Sequence, residues 1–307
     1  MIKKKIIRKL FNTTLSLLII LSVLTIQKTN INNKVLRTNL EIEDITNIKT
    51  DNIYLLNKDN LLVKTSIYID NCNLNKKIVK IINYLKESNN KIPISLKGYI
   101  NDKTEVLDIK IDNDILSINL SKDFLNTNNE KLIISGLVYS LLELDNINGI
   151  KLYVENTKIK GYENILNKNI GINNIYDFTN RKDINKVVIY YIDEEIDNSY
   201  YVPINKYLND NREKIEVIID ELKSTNNNLI SYLNNNVELL NYKEDGNILL
   251  LNFNKYIKEE NKLYEEKLLN EISYSVFDNY DVTMVIFQID GNKYKEVFKY
   301  NNNRYKK

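Results

Sequence analysis

The chain has no histidine and a single cysteine, so the side chains that most often serve as general base, nucleophile or metal ligand near neutral pH are nearly missing. Cys72 sits in the turn-like stretch Asp70-Asn71-Cys72-Asn73. Being alone, it cannot form a disulfide within the chain, and no histidine is present to activate it. What remains is carboxylate chemistry. Glycan hydrolysis, the simplest reaction two carboxylates perform, requires them about 5–10 Å apart in a cleft with one pKa raised. The conspicuous acids are Glu143 with Asp145, Asp193-Glu194-Glu195, and Asp112-Asn113-Asp114. None forms a recognisable pair, so they read as solvated loops and helix ends. The Asp112-Asn113-Asp114 turn has the oxygen ligands for a weakly held Ca²⁺, but its later counterpart Glu244-Asp245-Gly246 does not keep the pattern. The residues therefore assign no catalytic, cofactor-binding or metal site and no cofactor, and the expectation is a protein that is not an enzyme.

The elements are more informative than the chemistry, because one set of them occurs twice. Residues 106–154 contain VLDIKIDNDILSINLSKDFL, the apolar helix pattern LIISGLVYSLLEL and the strand-like GIKLYV. Residues 239–289 repeat the order with LLNYKEDGNILLLNFNKYI, LLNEISYSVFDNY and VTMVIFQI. Leu107, Ile109 and Ile111 alternate with polar residues, as do Leu116, Ile118 and Leu120, which predicts a hairpin closed at Asp112-Asn113. The second hairpin closes at Asp245-Gly246, a pair that favours the type I′ turn. Earlier in each copy, Ile78, Ile81, Ile82 and Leu85 recur as Ile215, Ile218, Ile219 and Leu222, the spacing of a helix with one apolar face. A second helix buries Ile134, Leu137, Val138, Leu141 and Leu142, matched by Leu269, Ile272, Ser273, Val276 and Phe277, and Thr127 with Glu130 suggests its capping box. Each copy opens with two short strands, residues 53–69 and 187–204, and Pro203 predicts an edge position for its strand.

This order predicts an α+β fold: two tandem two-layer repeats, each a small three-stranded sheet plus an extra hairpin with two helices on one face. Two copies are too few for a solenoid, so each is expected to bury its own core. The boundaries are residues 1–28 for a membrane helix, 29–51 for a tether, 52–163 for the first domain, 164–184 for a linker without periodicity, and 185–300 for the second.

The formal net charge of +2 conceals Lys3, Lys4, Lys5, Arg8 and Lys9, which leave the remainder mildly acidic. No basic stripe marks the folded part, which excludes nucleic acid as a partner. After the basic run, residues 10–26 carry no charge, the short limit for a membrane span. No cleavage pattern follows, so the segment reads as a retained signal anchor, with a cleaved signal peptide as the alternative, and either way the bulk of the chain lies outside the cytoplasm. Asn, Lys, Ile and Tyr are abundant, a bias that AT-rich coding DNA produces without selection, and individual Asn, Lys and Tyr residues carry little weight.

The paired stretches 106–125 (VLDIKIDNDILSINLSKDFL) and 135–154 (SGLVYSLLELDNINGIKLYV), with YYVPINKYLN at 200–209 and NILLLNFNKYI at 247–257, resemble the GerMN-domain family of sporulation and spore-germination proteins. The resemblance covers most of residues 50–300 and rests on element patterns, not catalytic residues. It implies an envelope protein of an endospore-forming bacterium on the mother-cell membrane facing the forespore, with domains similar to the ring-building modules of secretion systems. It further implies support for the channel complex between the two cells, protein partners in that envelope complex, and self-association. Family members are often lipoproteins, and Cys72 lies too far past the apolar segment to accept a lipid, so a retained helix would substitute. The alternative reading is an exported cell-wall glycan hydrolase or binding protein.

Overall fold

The computed structural model describes residues 50–126, 129–195, 198–224 and 228–299, all within the compact unit Thr50–Lys307. The expected membrane helix lies outside these residues, as does the tether up to residue 49, while Thr50 and Asp51 already belong to the first strand. Among the described ones no helix is long and apolar enough to cross a membrane.

The chain opens with a hairpin of β1 (Thr50–Leu56) and β2 (Leu62–Tyr68), followed by helix α1 (Leu74–Tyr84). A second hairpin, β3 (Val106–Asp112) and β4 (Ile115–Leu120), leads to α2 (Glu130–Leu141), β5 (Gly149–Val154) and the two-residue β6 (Thr157–Lys158). After the short β7 (Ile175–Asp177) the order recurs as β8 (Asn185–Glu194), β9 (Ser199–Leu208), α3 (Lys214–Lys223), β10 (Leu239–Asp245), β11 (Ile248–Phe253), α4 (Lys262–Asn279), β12 (Met284–Ile289) and β13 (Asn292–Phe298). The fold is thus mixed α+β with four helices among the described residues.

The periodicities explain the packing. Ile78, Ile81, Ile82 and Leu85 in the first repeat, and Ile215, Ile218, Ile219 and Leu222 in the second, are all buried. Each such side chain contributes about 1.5–3 kcal/mol relative to exposure. On β4 the residues Leu116, Ile118 and Leu120 face inward, and Leu249, Leu251 and Phe253 do the same on β11. Parallel pairing then sets Leu116 beside Ile150 and Leu249 beside Val285. Each repeat's sheet has four strands, β3-β4-β5-β6 and β10-β11-β12-β13, one more than the alternation predicted. The added strands are short or polar and carry no apolar period.

The main departure from the expected architecture is that the repeats do not have separate cores. One continuous hydrophobic cluster runs through both, because the opening hairpins merge into a single sheet: β2 pairs antiparallel with β9 at Lys64 and Tyr201. The supposed linker joins as well, with β7 running parallel to β9 from Ile175–Lys206 to Asp177–Leu208. Helix α2 lies on β1, and α3 and α4 lie on β8.

Pro203 is consequently not at an edge, since β9 pairs with β8 on one side and with β2 and β7 on the other. Its missing donor falls in the gap between β2 and β7. There the Asn173 side chain replaces the ladder, donating to the carbonyls of Leu62 (2.8 Å) and Pro203 (2.9 Å) while accepting from the Leu62 amide at 3.0 Å. Two further expectations shift by a residue or two. Thr127 lies outside the described residues, and α2 is capped by Asn129, whose side chain accepts from the Leu132 amide. The β3–β4 hairpin turns on Asn113 and Asp114, both at positive φ, as a type I′ turn requires; in its copy, β10–β11, only Gly246 is left-handed.

Candidate functional site: a polar joint between the repeats

Tyr54 lies on β1 and Tyr190 is its counterpart on β8. Each is anchored the same way: the Tyr54 amide donates to Ser140 Oγ on α2, and the Tyr190 amide donates to Ser275 Oγ on α4, both at 2.9 Å. Each serine in turn donates to the carbonyl four residues back, at 2.7 Å, so strand amides that lack a neighbouring strand are satisfied by helix hydroxyls. From these positions the two phenol oxygens meet at 3.0 Å. Asn57 Nδ2 likewise reaches its counterpart Asp193 at 2.7 Å. Contacts between equivalent residues identify an approximate two-fold relation between the repeats.

Carboxylates from the helix ends complete the joint. Tyr190 donates to Asp278 at 2.7 Å, and Tyr54 lies 3.3 Å from its counterpart, Glu143. Each phenol has one hydrogen. The shorter bond commits that of Tyr190, and Tyr54 shares its own between Tyr190 and Glu143. Two ammonium groups balance the two acids. Lys168 bridges Asp278 (2.7 Å) and Glu143 (3.2 Å), and Lys64 pairs with Glu143 at 2.8 Å. Lys64 stands over the ring of Tyr274 and Lys168 over that of Tyr139, again equivalent residues. Tyr139 and Lys186 both donate to the Lys168 carbonyl, which fixes the base of the bridging side chain.

The electrostatics follow from this enclosure. Burial works to raise the Glu143 pKa, but the ammonium groups of Lys64 and Lys168 outweigh it and hold the carboxyl down to about 2. Burial works to lower the Lys168 pKa, and Asp278 with Glu143 overcomes it, leaving the ammonium well above its usual range. Burial, followed by the neighbouring acids, pushes both Tyr54 and Tyr190 well up, so they remain donors. A carboxyl held at about 2 stays charged and is a poor proton donor at neutral pH. The arrangement is suited to holding two modules in one orientation.

Glu143 is therefore a buried structural ion and not the solvated helix-end group that the sequence suggested. The other acids scatter: Asp193 is buried against Asn57, Glu194 pairs with Lys267 at 2.8 Å, Glu195 pairs with Lys58 at 2.9 Å, and Asp114 accepts from Asn148 in an exposed turn. Glu271 shifts the opposite way. Burial raises it to about 8, with one oxygen accepting from Ser231 and the Tyr232 amide and the other without a partner among the described residues. It is fully enclosed. A cleft of about 950 Å³ beside β2 and α2 contains one carboxylate, Asp59, and one ammonium, Lys131, among its described lining residues, which is not the acid pair a glycosidase requires. Sequence reasoning singled out Glu143 but missed the tyrosines, the serines and Lys168. The Tyr-Ser dipeptides at 139–140 and 274–275 were the available signal.

Two α+β modules of one topology, joined through a shared sheet and a common ion cluster, define a tandem-module protein. The chain belongs to the Germane family, "Sporulation and spore germination", whose model matches residues 52–160 and 188–295; Lys168 falls between the two matched blocks. It is 28% identical over 217 residues to the spore germination protein GerM of Bacillus subtilis (strain 168), a match covering 62% of this chain and 57% of that protein. The chain thus spans little more than half the length of that relative. The solved structure of the tandem GerMN domains of the sporulation protein GerM from Bacillus subtilis superposes with a TM-score of 0.70, over 80% of this chain and 92% of that one, at 22% identity. That likeness establishes the fold.

Proposed function

We propose that the chain is a non-enzymatic envelope protein of sporulation and spore germination that acts by assembling with other proteins, supporting the channel complex between mother cell and forespore. The observation that carries this reading is the joint: its two acids serve a salt-bridged cluster that holds both modules as one block, leaving sheet edges unpaired among the described residues. Membership of the Germane family and the likeness to a spore germination protein support the cellular process. Free edges offer backbone donors and acceptors to a partner strand. Residues 10–26, behind their basic flank, anchor the chain in the mother-cell membrane with the modules facing the forespore, with the ring-building resemblance of the modules as the model for assembly.

The test is deletion in the source organism with counts of heat-resistant spores and of their germination, followed by complementation. Deletion lowers one or both counts. Glu195→Gln restores them nearly fully, whereas Ile111→Lys on an exposed strand edge does not. Loss of function in a Glu195→Gln protein that folds and localises would put an enzymatic reading in place of this one. Glu143→Gln is unsuited to that purpose, since it damages the joint. Carbonate-washed membranes of the same strain should retain the full-length chain, and a shortened soluble form would refute the anchor.

A further inference from the structure

Strand β3 ends the first repeat's sheet and pairs only with β4 among the described residues. Its register with β4 slips once, between Val106 and Asp108, so the bulge bends only the start of the strand and Asp108 to Asp112 run regularly. Leu107 and Ile111 are 45% and 39% exposed. Asp108 and Lys110 lie 3.0 Å apart on one face. Around Ile109 the sequence is apolar, acidic, apolar, basic, apolar: Leu107-Asp108-Ile109-Lys110-Ile111. An antiparallel pairing of two such strands about Ile109 sets each Asp108 opposite the second copy's Lys110, within the regular run, while Leu107 sits at the slip beyond it. Opposite charges then meet on both sides of an axis through the two Ile109 residues, which is the self-complementarity of an isologous contact.

We propose that β3 is a dimer edge whose partner is the β3 strand of a second copy of this chain, added antiparallel so that the two first-repeat sheets become continuous. The other edges among the described strands lack this pattern. On β10 the equivalent pairing about Tyr242 sets Lys243 against Asn241. Strand β13 carries Lys293 and Lys295 with Glu296 as its one acid, which repels a second copy. Strand β6 is two residues long. The outer edges of β1 and β8 are each closed by a bridge, Leu56 to Lys97 and Ile192 to Ile230. One self-complementary edge per chain gives a closed dimer and not a filament. The dimer rests on the assembly reading for its biological meaning, but its test does not.

The test is sedimentation velocity of the purified full-length chain in a neutral detergent over a concentration series, with circular dichroism to verify folding. The wild type shows a concentration-dependent dimer. Lys110→Asp and Asp108→Lys each place like charges opposite one another twice and weaken it about tenfold or more. The double exchange Asp108→Lys/Lys110→Asp restores the opposite-sign pairs and the dimer with them, and Lys243→Asp leaves it unchanged. A wild type that stays monomeric overturns the proposal. So does a dimer indifferent to the single exchanges, or a double exchange that remains as weak as the singles. A monomeric chain whose deletion still removes spores refutes the edge and leaves the assembly reading standing; a dimer whose deletion has no spore phenotype does the reverse.

Discussion

Lys168 touches both carboxylates of the joint, so its removal leaves Asp278, with a side chain 6% exposed, hydrogen-bonded to the Tyr190 hydroxyl and without its direct ion pair among the described residues, with Lys186 and Lys299 as more distant positive charges. Removing one partner of a buried ion pair costs about 3–5 kcal/mol. Lys168→Met is therefore expected to lower the melting temperature by roughly 6–12 °C, for about 3 kcal/mol in a chain of this size. Adding Asp278→Asn should recover part of that loss, because the stranded charge goes with it; a fully additive double mutant would show that the pair is not coupled. The two shifted glutamates predict opposite pH behaviour. Glu143 is depressed to about 2, so its contribution is complete above the ordinary carboxylate range near 4.5 and is lost as pH falls from there toward 2. Glu271 is raised to about 8, so its contribution is complete below about 4.5 and is lost as pH rises toward 8. Glu271→Gln keeps an acceptor for Ser231 and Tyr232 while removing the titration. Thermal melts should find this variant gaining on the wild type between pH 5 and pH 9, and an unchanged difference would contradict the assignment. These residues were hidden by composition. A chain rich in Asn, Lys and Tyr gives no single one of them prominence, yet tyrosines and lysines build the joint. Asn73, Asn129 and Asn261 cap helices, and Asn60, Asn113 and Asn156 take left-handed turns that glycine usually fills.

Helices and hairpins were the legible elements. An apolar face recurring every three or four residues, or alternating along a strand, reflects burial on one side and is written locally. The frames of α1 and α3 and the hairpins β3–β4 and β10–β11 were readable for that reason. Strand β7 has three residues and β6 two, too short for any period, and both are strands only because a neighbour offers backbone groups. The merging of the hairpins at Lys64 and Tyr201 was invisible because both residues look like surface positions of separate modules. Pro203 misled for a related reason: a missing donor forbids a ladder bond, but an asparagine from elsewhere can bridge the gap.

At the scale of the whole molecule, the shared sheet and the continuous core imply that the repeats unfold together. Calorimetry of the chain should give one transition with matching calorimetric and van't Hoff enthalpies. Residues 185–300 expressed alone should melt lower or fail to fold, since they lose β2 and β7 from the sheet and Tyr54 and Lys168 from the joint. Two separated transitions would restore the picture of independent domains. The bridging lysine has one more consequence. Because Lys168 belongs to the segment that tethers the modules, closing the joint is a unimolecular event with a fixed effective concentration. Mass action has no hold on it. Dilution to a few copies per cell leaves the modules seated on each other, and a molecule arriving alone at its site already presents both in their final orientation.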